Sequence, residues 1–223
     1  MISIIVPTYN EKENVELLVS ALEKCMGAEH EIIIVDDNSP DGTGALVKKL
    51  SKKYPSLRLL RREKKDGLTG AVVAGVDAAR GQDIVVMDAD LSHPPKKVPE
   101  LASELGKSPI VIGSRNMKGG GVQTWPFHRK VISKGAELLA FLILGVKSTD
   151  PMSGFFAIKK PLFRKTRFRA KGYKLLLNIL ADNKSAKISE VPYFFKDRHA
   201  GKTKLGGGEI LNYLLDLLRI RFG

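Results

Sequence analysis

Short aliphatic runs alternate along the first half of the chain with stretches whose apolar residues recur every three or four positions. Ile2 to Val6, Glu31 to Val35, Leu57 to Leu60, Ile84 to Val86 and Pro109 to Gly113 read as short buried strands. After the first strand, Val15, Leu17, Leu18, Ala21 and Leu22 line one face of a helix. It starts after Asn10, with Glu13 three residues on in the manner of a capping box. Further helices are predicted from about Gly44 to Lys53, Gly67 to Arg80 and Pro95 to Leu105. The Gly67 helix is rich in small residues (Ala71, Ala74, Gly75, Ala78, Ala79), which suits close packing on a sheet, and Gly81 stops it. Strand and helix alternate five times, so the expected class is α/β: a mainly parallel sheet with helices on both faces.

The pattern changes after Arg115. Lys118-Gly119-Gly120-Gly121 reads as a flexible loop, and Trp125-Pro126-Phe127 opens a long helix to about Gly145. Its first turns carry His128, Arg129, Lys130 and Lys134, while Leu138 to Leu144 is apolar all round. Such a helix is either a core helix with a solvated basic end or a surface for a ligand with a phosphate head and a hydrocarbon tail. A turn at Ser148 to Gly154 leads into a strand at Phe155 to Ile158; a helix over Tyr173 to Ala181 and a strand over Lys187 to Val191 follow. The glycines and cations of Phe194 to Gly208 make either a mobile positive lid over a pyrophosphate or a solvated surface turn. A last helix, Glu209 to Phe222, carries Ile210, Leu211, Leu214, Leu215 and Leu218 on one face, and Arg219 and Arg221 at its end. Too short to span a bilayer, it is expected to dock on the domain, with a membrane interface as the alternative. The division is thus residues 1–208 as the main domain and 209–223 as a C-terminal amphipathic helix.

Charge narrows the partner. With 37 Lys and Arg against 24 Asp and Glu, the formal net charge of +13 calls for something anionic: nucleic acid, a phosphorylated substrate or an acidic membrane surface. Cys25 is the only cysteine, so neither an intramolecular disulfide nor a thiolate metal cluster is possible. The N-terminus has no basic leader and reads as a strand, and the longest apolar run, Leu138 to Val146, is too short to cross a membrane. The expectation is a soluble or peripheral protein on the cytoplasmic side.

In a parallel sheet, ligands bind beyond the carboxyl ends of the strands. That rule puts Tyr9, Glu11, Asp37, Asp88, Asp90, Ser114 and Arg115 on one rim. Asp88 and Asp90 stand one residue apart at the end of a buried strand, followed by His93-Pro94-Pro95. Two carboxylates so close repel each other unless a cation lies between them, and Mg²⁺ commonly uses one or two carboxylates plus substrate phosphates. A polar strand end capping the next helix is the plainer alternative. The first strand-to-helix turn has no glycine, so the dinucleotide fingerprint is absent. Gly201-Lys202-Thr203 lacks the P-loop glycine five positions earlier, where Lys196 stands.

Several segments together resemble the dolichyl-phosphate (polyprenyl-phosphate) mannose synthases of glycosyltransferase family 2. They are Val6-Pro7-Thr8-Tyr9-Asn10-Glu11, Val35 to Thr43, Asp88 to Pro95, Gly113-Ser114-Arg115, Arg129 to Ala136, Thr149 to Phe156, and Glu190 to Lys204-Leu205. The resemblance runs from Ile4 to about Leu218 and implies the Rossmann-like GT-A fold. It implies nucleotide contacts at Pro7, Tyr9, Glu11, Val35 and Asp37, with Asp37 toward the base or ribose. Asp88, Ala89 and Asp90 match the Asp-X-Asp motif for Mg²⁺ or Mn²⁺, and Ser92 stands where some relatives have a glutamine metal ligand. Arg198 and Lys204 match loop cations on the donor pyrophosphate; Arg115, Arg129 and Ser133 match positions that receive the lipid phosphate. The implied reaction is an inverting transfer of mannose from GDP-mannose to a polyprenyl or dolichyl phosphate. The enzyme would be peripheral to the membrane, on its own or through membrane subunits. Two alternatives stay open: a related transferase using UDP-glucose or another nucleotide sugar, and a basic nucleic-acid-binding protein, for which no recognised motif is present.

Overall fold

The aliphatic runs of the first half form strands where their pattern places them: β1 (Ile2–Thr8), β2 (His30–Asp36), β3 (Leu57–Arg61), β4 (Asp83–Val86) and β5 (Ile110–Ser114). Between them lie α1 (Lys12–Cys25), α2 (Thr43–Leu50), α3 (Gly67–Ala78) and α4 (Val98–Glu104). The structure, a computed structural model, describes residues 1–63, 67–123, 127–169, 174–196 and 208–223. Later come β6 (Gly121–Val122), α5 (Phe127–Leu144), β7 (Phe156–Lys159), α6 (Lys160–Lys165), α7 (Leu175–Asp182), β8 (Ile188–Pro192), β9 (Phe194–Phe195) and α8 (Gly208–Phe222).

One sheet has the order β3-β2-β1-β4-β7-β5-β8. Its pairings are parallel except those of β7, which runs antiparallel to both β4 and β5. The turn before β7 sits at the carboxyl ends of its neighbours, so the strand has to run away from that rim. This direction brings the turn at Asp150 to the ligand edge.

Strand side chains alternate between two apolar layers. Ile4, Val6, Ile32, Ile34, Val85 and Val111 meet α1, α2 and α4. Ile5, Ile33, Val35, Ile84, Val86 and Ile112 meet α3, α5, α7 and α8. Helices therefore cover both faces, as expected. In α3 the small residues permit close approach: a Cβ on Gly75 would lie 2.5 Å from Ile5 and 2.9 Å from Val35.

Some local expectations change. The Pro95 to Leu105 helix opens with a 3₁₀ turn, Pro95–Lys97, because Pro99 has no N–H to donate back to Pro95. The basic stretch after Ile158 contains a short helix, α6, that carries no apolar periodicity to reveal it. The two-residue strands β6 and β9 pair in parallel and are too short for any pattern. The docked face of α8 is not the expected one. Leu215 and Leu218 are 41% and 46% exposed, whereas Tyr213, Asp216, Leu217 and Ile220 are buried. The Tyr213 hydroxyl donates to the Ala136 carbonyl at 2.6 Å, and Lys174 pairs with Asp216 at 2.9 Å. These polar anchors select the face that apolar counting alone misplaces. Leu214 is half-buried, and the side chains of Ile210 and Leu211 lie outside the description. The apolar half of α5 likewise has two faces, with Ala140 and Leu144 in the core and Leu138, Phe141 and Leu142 exposed.

Candidate active site

Three loops at the carboxyl rim turn through left-handed residues. Asn10 (φ 60°) and Asn38 (φ 57°) adopt this conformation with little strain, while Leu91 (φ 61°) needs its surroundings to hold it there. After β1 and β2 the loops are stitched together. The Asn10 amide donates to the Ser39 hydroxyl at 2.9 Å and the Glu11 amide to the Thr43 hydroxyl at 3.1 Å. Ser39 in turn donates to buried Asp36. Burial pushes the Asp41 carboxyl up, but the Thr43 hydroxyl and amide and the Lys12 amide hold it below its usual range. Asp37 accepts from Arg62 at 2.7 Å, both side chains being largely buried. Tyr9 is 40% exposed at the rim, with Pro7 and Glu11 half-buried nearby. Val35 is wholly buried, its carbonyl accepting from Thr8, so it lies beneath the rim and not on it.

The loop after β4 carries the carboxylate pair. Asp90 is buried, and its Oδ1 accepts from both the amide (3.1 Å) and the hydroxyl (2.6 Å) of Ser92. Asp88 keeps 38% of its side chain exposed. Ala89 and Ser92 are buried. Among the described residues no group of three His, Cys, Asp or Glu converges as a ready-made metal cage. A pair of carboxylates on one loop fits a hard divalent cation that completes its shell with diphosphate oxygens and water.

Beyond β5 the rim is built on a buried ion pair. The backbone amide and Nε of Arg115 both donate to Asp150 Oδ2, at 3.0 and 2.7 Å, and Nη2 donates to Oδ1 at 2.7 Å. Burial works against the guanidinium charge, and Asp150 more than compensates, so Arg115 stays firmly protonated. Glu190 on β8 supports that turn, accepting from the Ser148 hydroxyl and from the amide and hydroxyl of Thr149, each at 2.7 Å. Next to Arg115 opens a cavity of about 270 Å³, lined also by Asn116, Ser133, Lys134, Glu137 and the β6 residues. Glu137 accepts from Asn116 at 2.6 Å and from Ser133 at 3.3 Å, and burial pushes its carboxyl up against the pull of Lys134.

Phe195 links the two sides of the rim. The Arg115 guanidinium lies 5.6 Å from its ring centroid, and the His93 ring lies 6.2 Å from it. The structure thus gathers Tyr9, Glu11 and Asp37 at one end of the rim, Asp88, Asp90 and Ser92 on the β4 loop, and Arg115 with Ser133 around the cavity. Arg129 falls within α5, but its side chain is outside the description; Arg198 and Lys204 lie outside the described residues altogether. Sequence reasoning missed Arg62, Asn116, Glu137, Asp150 and Glu190. A usable signal existed for two: Glu137 is the one carboxylate in the α5 sequence, and Asp150 stands in the turn that opens β7.

The model of the family described as glycosyl transferase family 2 matches residues 3–167. A dolichol-phosphate mannosyltransferase of Pyrococcus furiosus is 44% identical, over 98% of this chain and 63% of its own length. Proteins of the same name from Mycosarcoma maydis and Saccharomyces cerevisiae are 40% and 38% identical, over 99% and 96% of this chain and 80% and 85% of theirs. The chain thus spans under two thirds of the archaeal relative. Among solved structures, glucosyl-3-phosphoglycerate synthase from Mycobacterium tuberculosis, in complex with Mn²⁺ and UDP, superposes with a TM-score of 0.73. At 20% identity, over 99% of this chain and 80% of that one, it speaks for the GT-A fold. The chain belongs to glycosyl transferase family 2, on the branch occupied by the dolichol-phosphate mannosyltransferases.

Proposed function

We propose that this protein transfers mannose from GDP-mannose to the phosphate of a dolichyl or polyprenyl phosphate, with inversion at the anomeric carbon. The observation that carries this reading is the juxtaposition on one rim of a carboxylate pair, Asp88 and Asp90, with the Arg115–Asp150 clamp beside its cavity, Phe195 meeting both the Arg115 guanidinium and the His93 ring that accepts from the Asp88 amide. One end suits a metal-bound nucleoside diphosphate and the other a phosphate monoester. The names of the relatives point the same way.

Pro7, Tyr9, Glu11 and Asp37 would receive the nucleotide, with Val35 flooring the pocket from below. Asp90, Asp88 and the intervening Ala89 face the diphosphate. Mg²⁺ or Mn²⁺, when bound there, supplies positive charge to the leaving GDP. Ser92 contributes by holding Asp90 in place, since its hydroxyl is already donated to that carboxylate. Arg198 and Lys204 are assigned to the same diphosphate. Arg115, Arg129 and Ser133 hold the acceptor phosphate in line with the anomeric carbon. A phosphate monoester with a second pKa of about 6 is mostly a dianion near neutrality, so no protein group has to deprotonate it. That fits the two histidines whose side chains are described: His93 is buried with Nδ1 facing an amide, and His30 Nδ1 is engaged with the Gly27 carbonyl.

A lipid acceptor requires access to a membrane. Among the described residues no helix is long and apolar enough to cross one. Leu138, Phe141 and Leu142 of α5 and Leu215, Leu218 and Phe222 of α8 nevertheless stand exposed on two helices that pack together. With a net charge of +13, these faces support peripheral association with the cytoplasmic face of an anionic membrane, directly or through membrane subunits. Nucleic acid is not the anionic partner on this reading. Incubation with labelled GDP-mannose or UDP-glucose, polyprenyl phosphate and Mn²⁺ tests the proposal. Label should enter the lipid extract from GDP-mannose; label only from UDP-glucose would move the donor assignment, and none from either would end it.

A further inference from the structure

His93 takes no direct part in the displacement, yet its ring lies at the middle of the rim with 2% of the residue exposed. The amide of Asp88, five residues earlier, donates to its Nδ1 at 3.0 Å. A ring nitrogen that accepts from an amide carries no proton, which places the imidazole proton on Nε2. The ring stacks on Phe155, with centroids 5.1 Å apart and planes 10° from parallel. Tyr193 and Phe195 approach edge-on at 5.7 and 6.2 Å. Gly154 passes so close that a Cβ there would lie 3.3 Å from His93 Cε1 and 3.5 Å from an Asp88 carboxylate oxygen.

These contacts close the carboxylate loop from both ends. Ser92 ties back to Asp90, and His93 ties back to Asp88 across the left-handed turn at Leu91. A leucine stays at positive φ only when its surroundings fix it, and the imidazole clamped between Phe155 and the Asp88 amide does so. We propose that His93 is the positioning residue of this loop: it presets the main chain of Asp88 so that both carboxylates face one cation before that cation arrives. Resting on the metal reading above, the inference adds a coupling. The ring that sets the carboxylates also packs on Phe155, just after the Asp150 turn, and on Phe195, over which Arg115 lies. Donor loop and acceptor clamp therefore share one aromatic cluster.

Two variants separate positioning from packing. His93→Phe keeps a ring for the aromatic cluster and removes the acceptor for the Asp88 amide. His93→Asn keeps a side-chain acceptor near the Nδ1 position and removes the ring. Mn²⁺ binding in the presence of GDP, read by the electron paramagnetic resonance of the free ion, is measured for both alongside the melting temperature. We expect His93→Phe to weaken Mn²⁺ binding about tenfold or more with little change in melting, the usual scale for loss of a residue that supports a metal ligand. His93→Asn should melt earlier yet bind Mn²⁺ more tightly than His93→Phe. Unchanged Mn²⁺ affinity in His93→Phe, or an equal loss in both, would overturn the proposal. If His93→Phe does not fold, His93→Asn decides alone: retained Mn²⁺ affinity supports the positioning role and lost affinity refutes it. Wild-type protein that binds Mn²⁺ no better than Asp90→Ala would instead sink the metal reading itself, and this inference with it.

Discussion

The two ends of the rim are built in different ways. On the side proposed for nucleotide and metal, many stabilising contacts are local: Asp90 with Ser92, Asp41 with Thr43, Asp36 with Ser39, Asp88 with His93. The β4 loop carries its hydrogen-bonded support within a few residues, while the β1 and β2 loops also hold each other through Asn10 with Ser39 and Glu11 with Thr43. On the proposed acceptor side the partners are distant in sequence: Arg115 with Asp150, Asn116 with Glu137, Thr149 with Glu190. That half exists only once β7 has been inserted antiparallel between β4 and β5. A preformed loop and a topologically assembled clamp should respond differently to mutation, and this difference can be tested.

The largest effect is expected at the clamp. Asp150→Ala leaves the Arg115 guanidinium buried without its carboxylate, and breaking a buried pair in this way costs about 3–5 kcal/mol. Urea denaturation should show a large drop in stability, with acceptor KM raised in whatever protein remains folded. On the local side, Asp90→Ala should leave the denaturation midpoint nearly unchanged while lowering kcat by about 10²–10³, the scale for removing a key electrostatic group. A folded, fully active Asp90→Ala protein would contradict the metal assignment. Next comes Arg129→Ala, which should raise the KM for lipid phosphate well over that for GDP-mannose. Collapse of donor binding with unchanged acceptor kinetics would reverse the assignment of the two ends.

The smallest effect belongs to Glu137. Burial raises its pKa above the unfolded value, so the folded state holds its proton more tightly. Stability from this group is then present at low pH and falls as pH rises from the ordinary carboxylate range through the folded pKa. Glu137→Gln should therefore be slightly more stable than wild type at pH 7, by less than about 1 kcal/mol once solvent screening is allowed for. The gain should vanish near pH 4. Thermal melts of both proteins across that range would check the sign.

The same contrast explains what the sequence could disclose. The α/β alternation was readable because buried strands and helices leave periodic signals, and the carboxylate pair was readable because only Ala89 separates Asp88 from Asp90 in the chain. Glu137 and Asp150 stand out in the chain but their partners do not, and Glu190 gives no such signal, since nothing in a linear pattern says which turn meets Arg115. The antiparallel direction of β7 shares that obscurity: its side chains alternate alike in either orientation. The docked face of α8 was misjudged because Tyr213 and Asp216 are held by polar partners on α5 and near α7, which a count of leucines ignores.

On the proposed function, one rim brings a nucleotide sugar and a lipid phosphate together for a single in-line displacement. The anomeric configuration of the lipid-linked sugar, determined by NMR on product made from GDP-α-mannose and polyprenyl phosphate, tests this most directly. A single in-line displacement gives a β-linked mannosyl phosphate. An α-linked product would show a retaining reaction and contradict it.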